Sequence, residues 1–203
     1  PRQLQQVDFA SRLQQILALH PAVKPGDLTL EVLETSALED LAGVSAVIED
    51  CRTLGVHFSL DDFGTGYSSL TYLKRLSVDQ LKIDQSFVRD MLDDPDDLTI
   101  LEGVISLAGA FRREVIAEGV ETVAHGEMLL LLGCELAQGY GIARPMPADE
   151  VPAWMATWRP DPGWETLRPI GREDLPLLFA GTEHRAWVLE MENALLGDSA
   201  GLL

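Results

Sequence analysis

A chain of 203 residues holds one ordinary domain and a short appendage, and with 46% hydrophobic residues it can bury a substantial core. Its 33 acidic residues outnumber 15 basic ones, a formal charge of −18 that repels polyanions and excludes general binding to polymeric nucleic acid or to an anionic membrane surface. The longest apolar run, Met128 to Leu132, falls far short of a membrane span, and the two cysteines, Cys51 and Cys134, lack metal-ligand spacing and read as reduced, buried thiols suited to the cytoplasm.

In chain order, the first residues carry no secretory leader and read as the middle of a fold, with a helix over 7–19. Asp27 to Glu34 is rich in apolar residues and reads as a buried strand. Ser36 and Glu39 have capping-box spacing, and Leu41, Val44, Ile48 and Cys51 follow on one helical face until Gly55 stops it. Val56 to Leu60 reads as a second strand, Asp61 to Gly66 as a loop, and the chain then turns helical through Leu70 and Leu73. Gln80 to Asp84 is a third strand, and Leu98 to Ala108 an amphipathic helix. Glu114 to Glu118 is a fourth strand and Val123 to Leu132 a helix. Cys134 to Gln138 is a short fifth strand, and Pro147 to Trp158 a closing helix.

Strands alternating with helices predict βα units around a parallel sheet, either a (β/α)8 barrel or an open doubly wound sheet. Acidic or polar residues stand at nearly every strand end: Glu31, Glu34, Asp61, Asp62, Lys82, Asp84, Glu118, Glu121 and Gln138. In a barrel those ends converge on one mouth, so the pattern favours an α/β fold of TIM-like barrel type. Only five of eight strands are found, so the first three are expected upstream of Pro1. The barrel portion is read as residues 1–158, a Pro/Gly-rich linker as 159–173 and a helical extension as 174–203.

Several carboxylates at one mouth cannot all stay ionised without cations, and hard oxygen donors favour Mg²⁺ or Mn²⁺ in a two-metal site. Adjacent Asp61 and Asp62 suit two ions, and Lys82 suits a role orienting a nucleophile or offsetting phosphate charge. The alternative is that these acids are solvated loop residues. The glycines of Asp61-Asp-Phe-Gly-Thr-Gly66 permit a tight loop beside the acids.

Five stretches, in order and spacing, resemble the EAL-domain family: Leu30-Glu-Val-Leu-Glu-Thr35, Leu60-Asp-Asp-Phe-Gly-Thr-Gly-Tyr-Ser-Ser-Leu70, Leu81-Lys-Ile-Asp84, Val115-Ile-Ala-Glu-Gly-Val-Glu121, and Gln138-Gly-Tyr140 with Arg144-Pro145. The resemblance implies hydrolysis of cyclic di-GMP to linear pGpG with Mg²⁺ or Mn²⁺, in bacterial second-messenger signalling. It implies that Glu31, Asp61, Asp62 and Glu118 hold metal, with Asp61 bridging and also meeting substrate. Lys82 stands beside the nucleophilic water, Glu34 steadies the glycine loop, and Glu121 and Gln138 line the site. It further implies a homodimer through residues 62–74. Leu33 departs from a common threonine. A glutamate and an asparagine that bind metal in the family are expected before Pro1, so residues 1–203 by themselves are expected to be inactive. A non-catalytic cyclic-di-GMP receptor and an unrelated metal-dependent barrel enzyme are the competing readings; the intact acids favour the phosphodiesterase.

Glu183-His-Arg-Ala-Trp187 resembles the first helix of chemoreceptor zinc-binding domains, with His184 as a zinc ligand; the alternative is a plain amphipathic helix over 182–196. His20, His57 and His125 show no ligand spacing and read as structural or exposed.

Overall fold

Apolar residues at alternate positions of five short segments give one parallel sheet in the computed structural model, which describes residues 8–65 and 70–169 together with Leu4 and Gln6. The strands are β1 (Thr29–Leu33), β2 (His57–Phe63), β3 (Gln80–Ile83), β4 (Glu114–Glu118) and β5 (Leu136–Gln138), hydrogen-bonded in sequence order. The helices are α1 (Phe9–Leu19), α2 (Glu34–Glu39), α3 (Leu41–Thr53), α4 (Leu70–Arg75), α5 (Gln85–Asp90), α6 (Pro95–Ala110), α7 (Val123–Leu131), α8 (Val151–Thr157) and α9 (Pro162–Thr166). A doubly wound sheet reverses its strand order at a switch point. This sheet does not, so its winding is that of a barrel wall.

The two faces of the sheet differ. Register partners share a face, and Val32, Leu60, Leu81 and Val115 form one row across β1 to β4. That face meets the helices: Phe58, Leu60, Leu81 and Ile83 are buried against a cluster that includes Leu98 and Leu101 of α6. The opposite face carries Glu31, Ser59, Lys82, Ile116, Glu118 and Gln138. β1, read as a buried strand, is buried on its helix-facing side, where Val32 is the one buried residue of its five. Its alternate residues stand on the polar face.

Local chemistry sets the boundaries. β2 runs through Phe63, so Asp61 and Asp62 belong to a strand and not to a loop. The Ser36 capping box does not start α3: Asp40 does, accepting the Gly43 N–H at 3.0 Å. Asp84 leaves the strand to cap α5, a helix the sequence reading lacked, and Ser86 donates to it from both backbone and hydroxyl. The stretch read as a linker carries α9, which starts at an Asp161 cap. Its Trp164 donates from Nε1 to the Val123 carbonyl at 2.9 Å, and the ring leaves no room for a side chain at Gly126. The helix expected over 182–196, the His184 resemblance and loop residues 66–69 lie outside the described residues.

Candidate functional site

A bulge in β2 makes the site. Leu60 pairs with Leu81, but the next pair is Phe63 with Ile83, so one extra residue stands between them. Strict alternation would send Asp62 into the helix-facing core. The bulge places Asp62 at φ 55°, a left-handed conformation that aspartate tolerates better than most residues. Phe63 returns to the core, and two adjacent aspartates remain at the C-terminal end of the sheet. One carboxylate oxygen each from Asp61, Asp62 and Glu118 lie within 4.8 Å of one another.

Lys82 is the centre of this cluster. Its ammonium lies 2.6 Å from Glu118 Oε1, 2.8 Å from Asp61 Oδ1 and 2.8 Å from Glu31 Oε1, with only 6% of the side chain exposed. Burial opposes the charge, but the carboxylates of Asp61, Glu118 and Glu31 outweigh it and hold the pKa above the ordinary lysine value. The three carboxylates thus favour the charged ammonium. The acids feel the opposite balance. Burial is the largest influence raising the Glu118 pKa; Lys82 pulls it back, and Asp61 and Asp62 raise it again. Asp62 is raised first by burial, then by Asp61 and Asp84, with Lys82 offsetting part.

One ammonium among four carboxylates leaves surplus negative charge, and this is the test of whether the residues suit a divalent cation. Asp61 Oδ1 is buried, and its contact with Lys82 is a charge contact without hydrogen-bond alignment. With Asp62 and Glu118 close by, the donor set is hard oxygen only, the chemistry of Mg²⁺ or Mn²⁺ rather than zinc. The residues fit such an ion.

Glu34 stands apart from this cluster. It opens α2, is 3% exposed, and accepts the Gly64 N–H on Oε2 at 3.1 Å. Gly64 has φ 104°, and a Cβ there would sit 3.0 Å from the Phe87 ring, so the position demands glycine. Gln138 joins the cluster from β5, donating from Nε2 to Glu118 Oε1 at 2.6 Å. Glu121 does not reach Lys82. It lines a neighbouring cleft of about 480 Å³ with Gln85, Glu118, Gln138, Tyr140 and Arg144. There the Arg144 guanidinium lies 4.6 Å from the Tyr140 ring centroid. Gln85, Tyr140 and Arg144 were given no role from sequence. The four-residue spacing of Tyr140 and Arg144 was the available signal, yet it says nothing without the cleft. His125, read as structural or exposed, is buried; His20 and His57 are exposed.

Residues 1–145 match the EAL domain family. The bifunctional diguanylate cyclase/cyclic di-GMP phosphodiesterase MucR of Pseudomonas aeruginosa is 43% identical over 138 residues, 68% of this chain and 20% of MucR. Among solved structures, the PaMucR phosphodiesterase in complex with c-di-GMP is 40% identical, with a TM-score of 0.70 over 73% of this chain and 60% of that one. Klebsiella pneumoniae BlrP1, in a manganese/cy-diGMP complex at pH 6, is 31% identical with a TM-score of 0.65, over 70% of this chain and 36% of that one. The chain thus spans about a fifth of the length of that curated relative.

Proposed function

Because the chain belongs to the EAL domain family, we propose that it forms the metal- and substrate-binding mouth of a phosphodiesterase that hydrolyses cyclic di-GMP to linear pGpG. The observation that carries this reading is the Lys82 ammonium enclosed by Glu31, Asp61 and Glu118, with Asp62 beside them and the cleft adjoining. In this proposal Glu31, Asp61, Asp62 and Glu118 hold Mg²⁺ or Mn²⁺. Bound there, the metal supplies an activated water and neutralises phosphate charge.

The remaining roles belong to the chain. Lys82 keeps its proton and offsets the negative charge that gathers on the phosphodiester during attack. Glu34 holds Gly64 and with it the turn that follows the two aspartates. Gln138 orients Glu118 through its amide. Tyr140 offers a ring to a guanine base, and Arg144 offers a cation to a phosphate. Glu121 lines the wall between them. Dimerisation through residues 62–74, of which 62–65 and 70–74 are described, is part of the same proposal.

The test is turnover of cyclic di-GMP by the protein that contains these residues, followed by chromatography of pGpG with Mg²⁺ or Mn²⁺ and with neither. Asp61→Asn is expected to lower kcat by about 100-fold or more, as loss of a transition-state charge stabiliser does. Tight binding of cyclic di-GMP without turnover under every metal condition would replace the hydrolase reading with that of a receptor.

A further inference from the structure

The cleft has a wall that the proposed chemistry leaves unexplained: the turn from Glu118 to Glu121, which leads into α7. One side of this turn is fixed by backbone. Val120 N–H donates to the Gln138 carbonyl at 3.1 Å, Gly141 N–H donates to the Val120 carbonyl at 2.8 Å, and a Cβ on Gly139 would overlap the Val120 backbone. The Glu121 end is held differently. Thr122 is the N-cap of α7 and its hydroxyl accepts the His125 N–H at 3.2 Å. In return, the Glu121 N–H donates to His125 Nδ1 at 3.4 Å. This is a reciprocal capping box with histidine in the place that Glu or Gln usually takes, reaching one residue further back than usual.

Histidine changes what such a box does. Glutamine accepts at any pH, whereas imidazole accepts on Nδ1 only while that nitrogen is unprotonated. Resting on the proposed function of the cleft, we propose that His125 is a positioning residue for the Glu118–Glu121 wall: its unprotonated Nδ1 holds the Glu121 amide, and protonation of the ring releases it. The surroundings support this. His125 is 7% exposed and sits in the first turn of a helix, where the dipole disfavours a cation. Burial is the largest influence and lowers its pKa, against Glu121, Asp93 and Asp90, which raise it. Glu121 comes from the turn itself, Asp90 and Asp93 from α5 and the turn after it, and Asp90 is already paired with Arg89 at 2.9 Å. Those acids are also where an imidazolium would turn once it can no longer accept. The hold is therefore complete above the ordinary histidine value of about 6.5 and weakens as pH falls below it.

The experiment uses the full-length protein that contains these residues. Nitrogen NMR of the imidazole at about pH 7.5 is expected to show the proton on Nε2 and a bare Nδ1. Hydrogen exchange at the Glu121 amide is expected to be slower than in His125→Ala by about fivefold, the size of one helix cap. As pH falls from about 7.5 through the range below the ordinary histidine value of about 6.5, that protection should decline in the wild type and persist in His125→Gln, each compared with an unprotected amide at the same pH. A proton on Nδ1, or equal protection in all three chains, overturns the proposal. If His125→Gln does not fold, the tautomer and pH dependence of the wild type still decide it. Affinity for cyclic di-GMP, followed by calorimetry over the same range, should fall in the wild type and hold in His125→Gln; equal pH dependence overturns the positioning role. No binding at any pH, with tautomer and exchange as expected, sinks the function of the cleft and leaves the histidine cap standing.

Discussion

Leu81 and Lys82 are neighbours in β3, and they belong to different molecules in a physical sense. Leu81 points to the helices, is fully buried and is held by nondirectional apolar burial. Lys82 points to the polar face, is nearly as buried, and is held by three carboxylates. The first face tolerates exchange of one apolar shape for another at modest loss. On the second, every group is defined by the charge of its neighbours, and removal of one partner changes the pKa of the rest. Stability measured against pH and divalent cations should therefore separate the two faces.

The largest expected effect is on the apolar face. Leu81→Ala should lower unfolding free energy by about 2–5 kcal/mol, the cost of an unfilled core position. The loss, read from urea denaturation, should be the same at about pH 7 and pH 5 and indifferent to Mn²⁺, since no titrating group is touched. Lys82→Met comes next. It leaves Asp61, Glu118 and Glu31 without their ammonium, and should cost about 1–3 kcal/mol near neutral pH, the range for a buried group left unpaired. This deficit should shrink as acid protonates the carboxylates and when Mn²⁺ is added. In the wild type the raised Lys82 pKa means its stabilisation is fully present below the ordinary lysine value of about 10.4 and lost only as pH rises through the higher folded value. If the Lys82→Met deficit were unchanged by pH and by Mn²⁺, the two faces would not differ as argued.

Glu34→Ala tests a residue that serves the polar face from outside it. Removing the acceptor of the Gly64 N–H should cost about 1–2 kcal/mol. It should also weaken Mn²⁺ affinity, because the turn after Asp62 loses its tether. Glu34→Gln, which keeps an acceptor, should recover most of both. A Mn²⁺ titration that is identical in all three chains would show that the tether does not reach the aspartates.

The difference between faces also explains what could be read from sequence. Val32, Phe58, Leu60, Leu81 and Ile83 announced β1, β2 and β3 because burial leaves a period of two. The run of acids at strand ends announced a mouth, and the structure brings Glu31, Asp61, Asp62, Glu118 and Gln138 to it around Lys82. What was not legible rests on contacts between distant segments. The bulge at Asp62 is a pairing event between β2 and β3, and nothing local in Asp61-Asp62-Phe63 distinguishes it from the start of a loop. α5 and α9 are six and five residues long, too short to show a helical period, and their Asp84 and Asp161 caps gain meaning only once the chain is seen to turn there. α9 further depends on Trp164 meeting Val123 and Gly126, about forty residues earlier. His125 lacked ligand spacing because its partner is a backbone amide four residues back.

The smallest expected effect is the most discriminating, because its sign is opposite to that of ordinary mutations. Asp62 has its pKa raised by burial first and by Asp61 and Asp84 next, so folding makes its ionised form less favourable. A carboxylate of this kind lowers stability as pH rises through the window above the ordinary aspartate value of about 3.9. Asp62→Asn removes the charge and keeps the shape. Asparagine also accepts the left-handed backbone at φ 55°, so no new strain enters. Without divalent cations, Tm should therefore rise slightly near neutral pH, and the gain should disappear in acid, where the wild-type carboxyl is itself neutral. With Mn²⁺ the order should invert: the wild type gains stability from the ion, and Asp62→Asn, one ligand poorer, gains less. Thermal scans of both chains in a metal chelator and in Mn²⁺, near neutral pH and in acid, check all four conditions. A lower Tm for Asp62→Asn in chelator would mean that this acid is held by favourable contacts rather than tolerated among like charges.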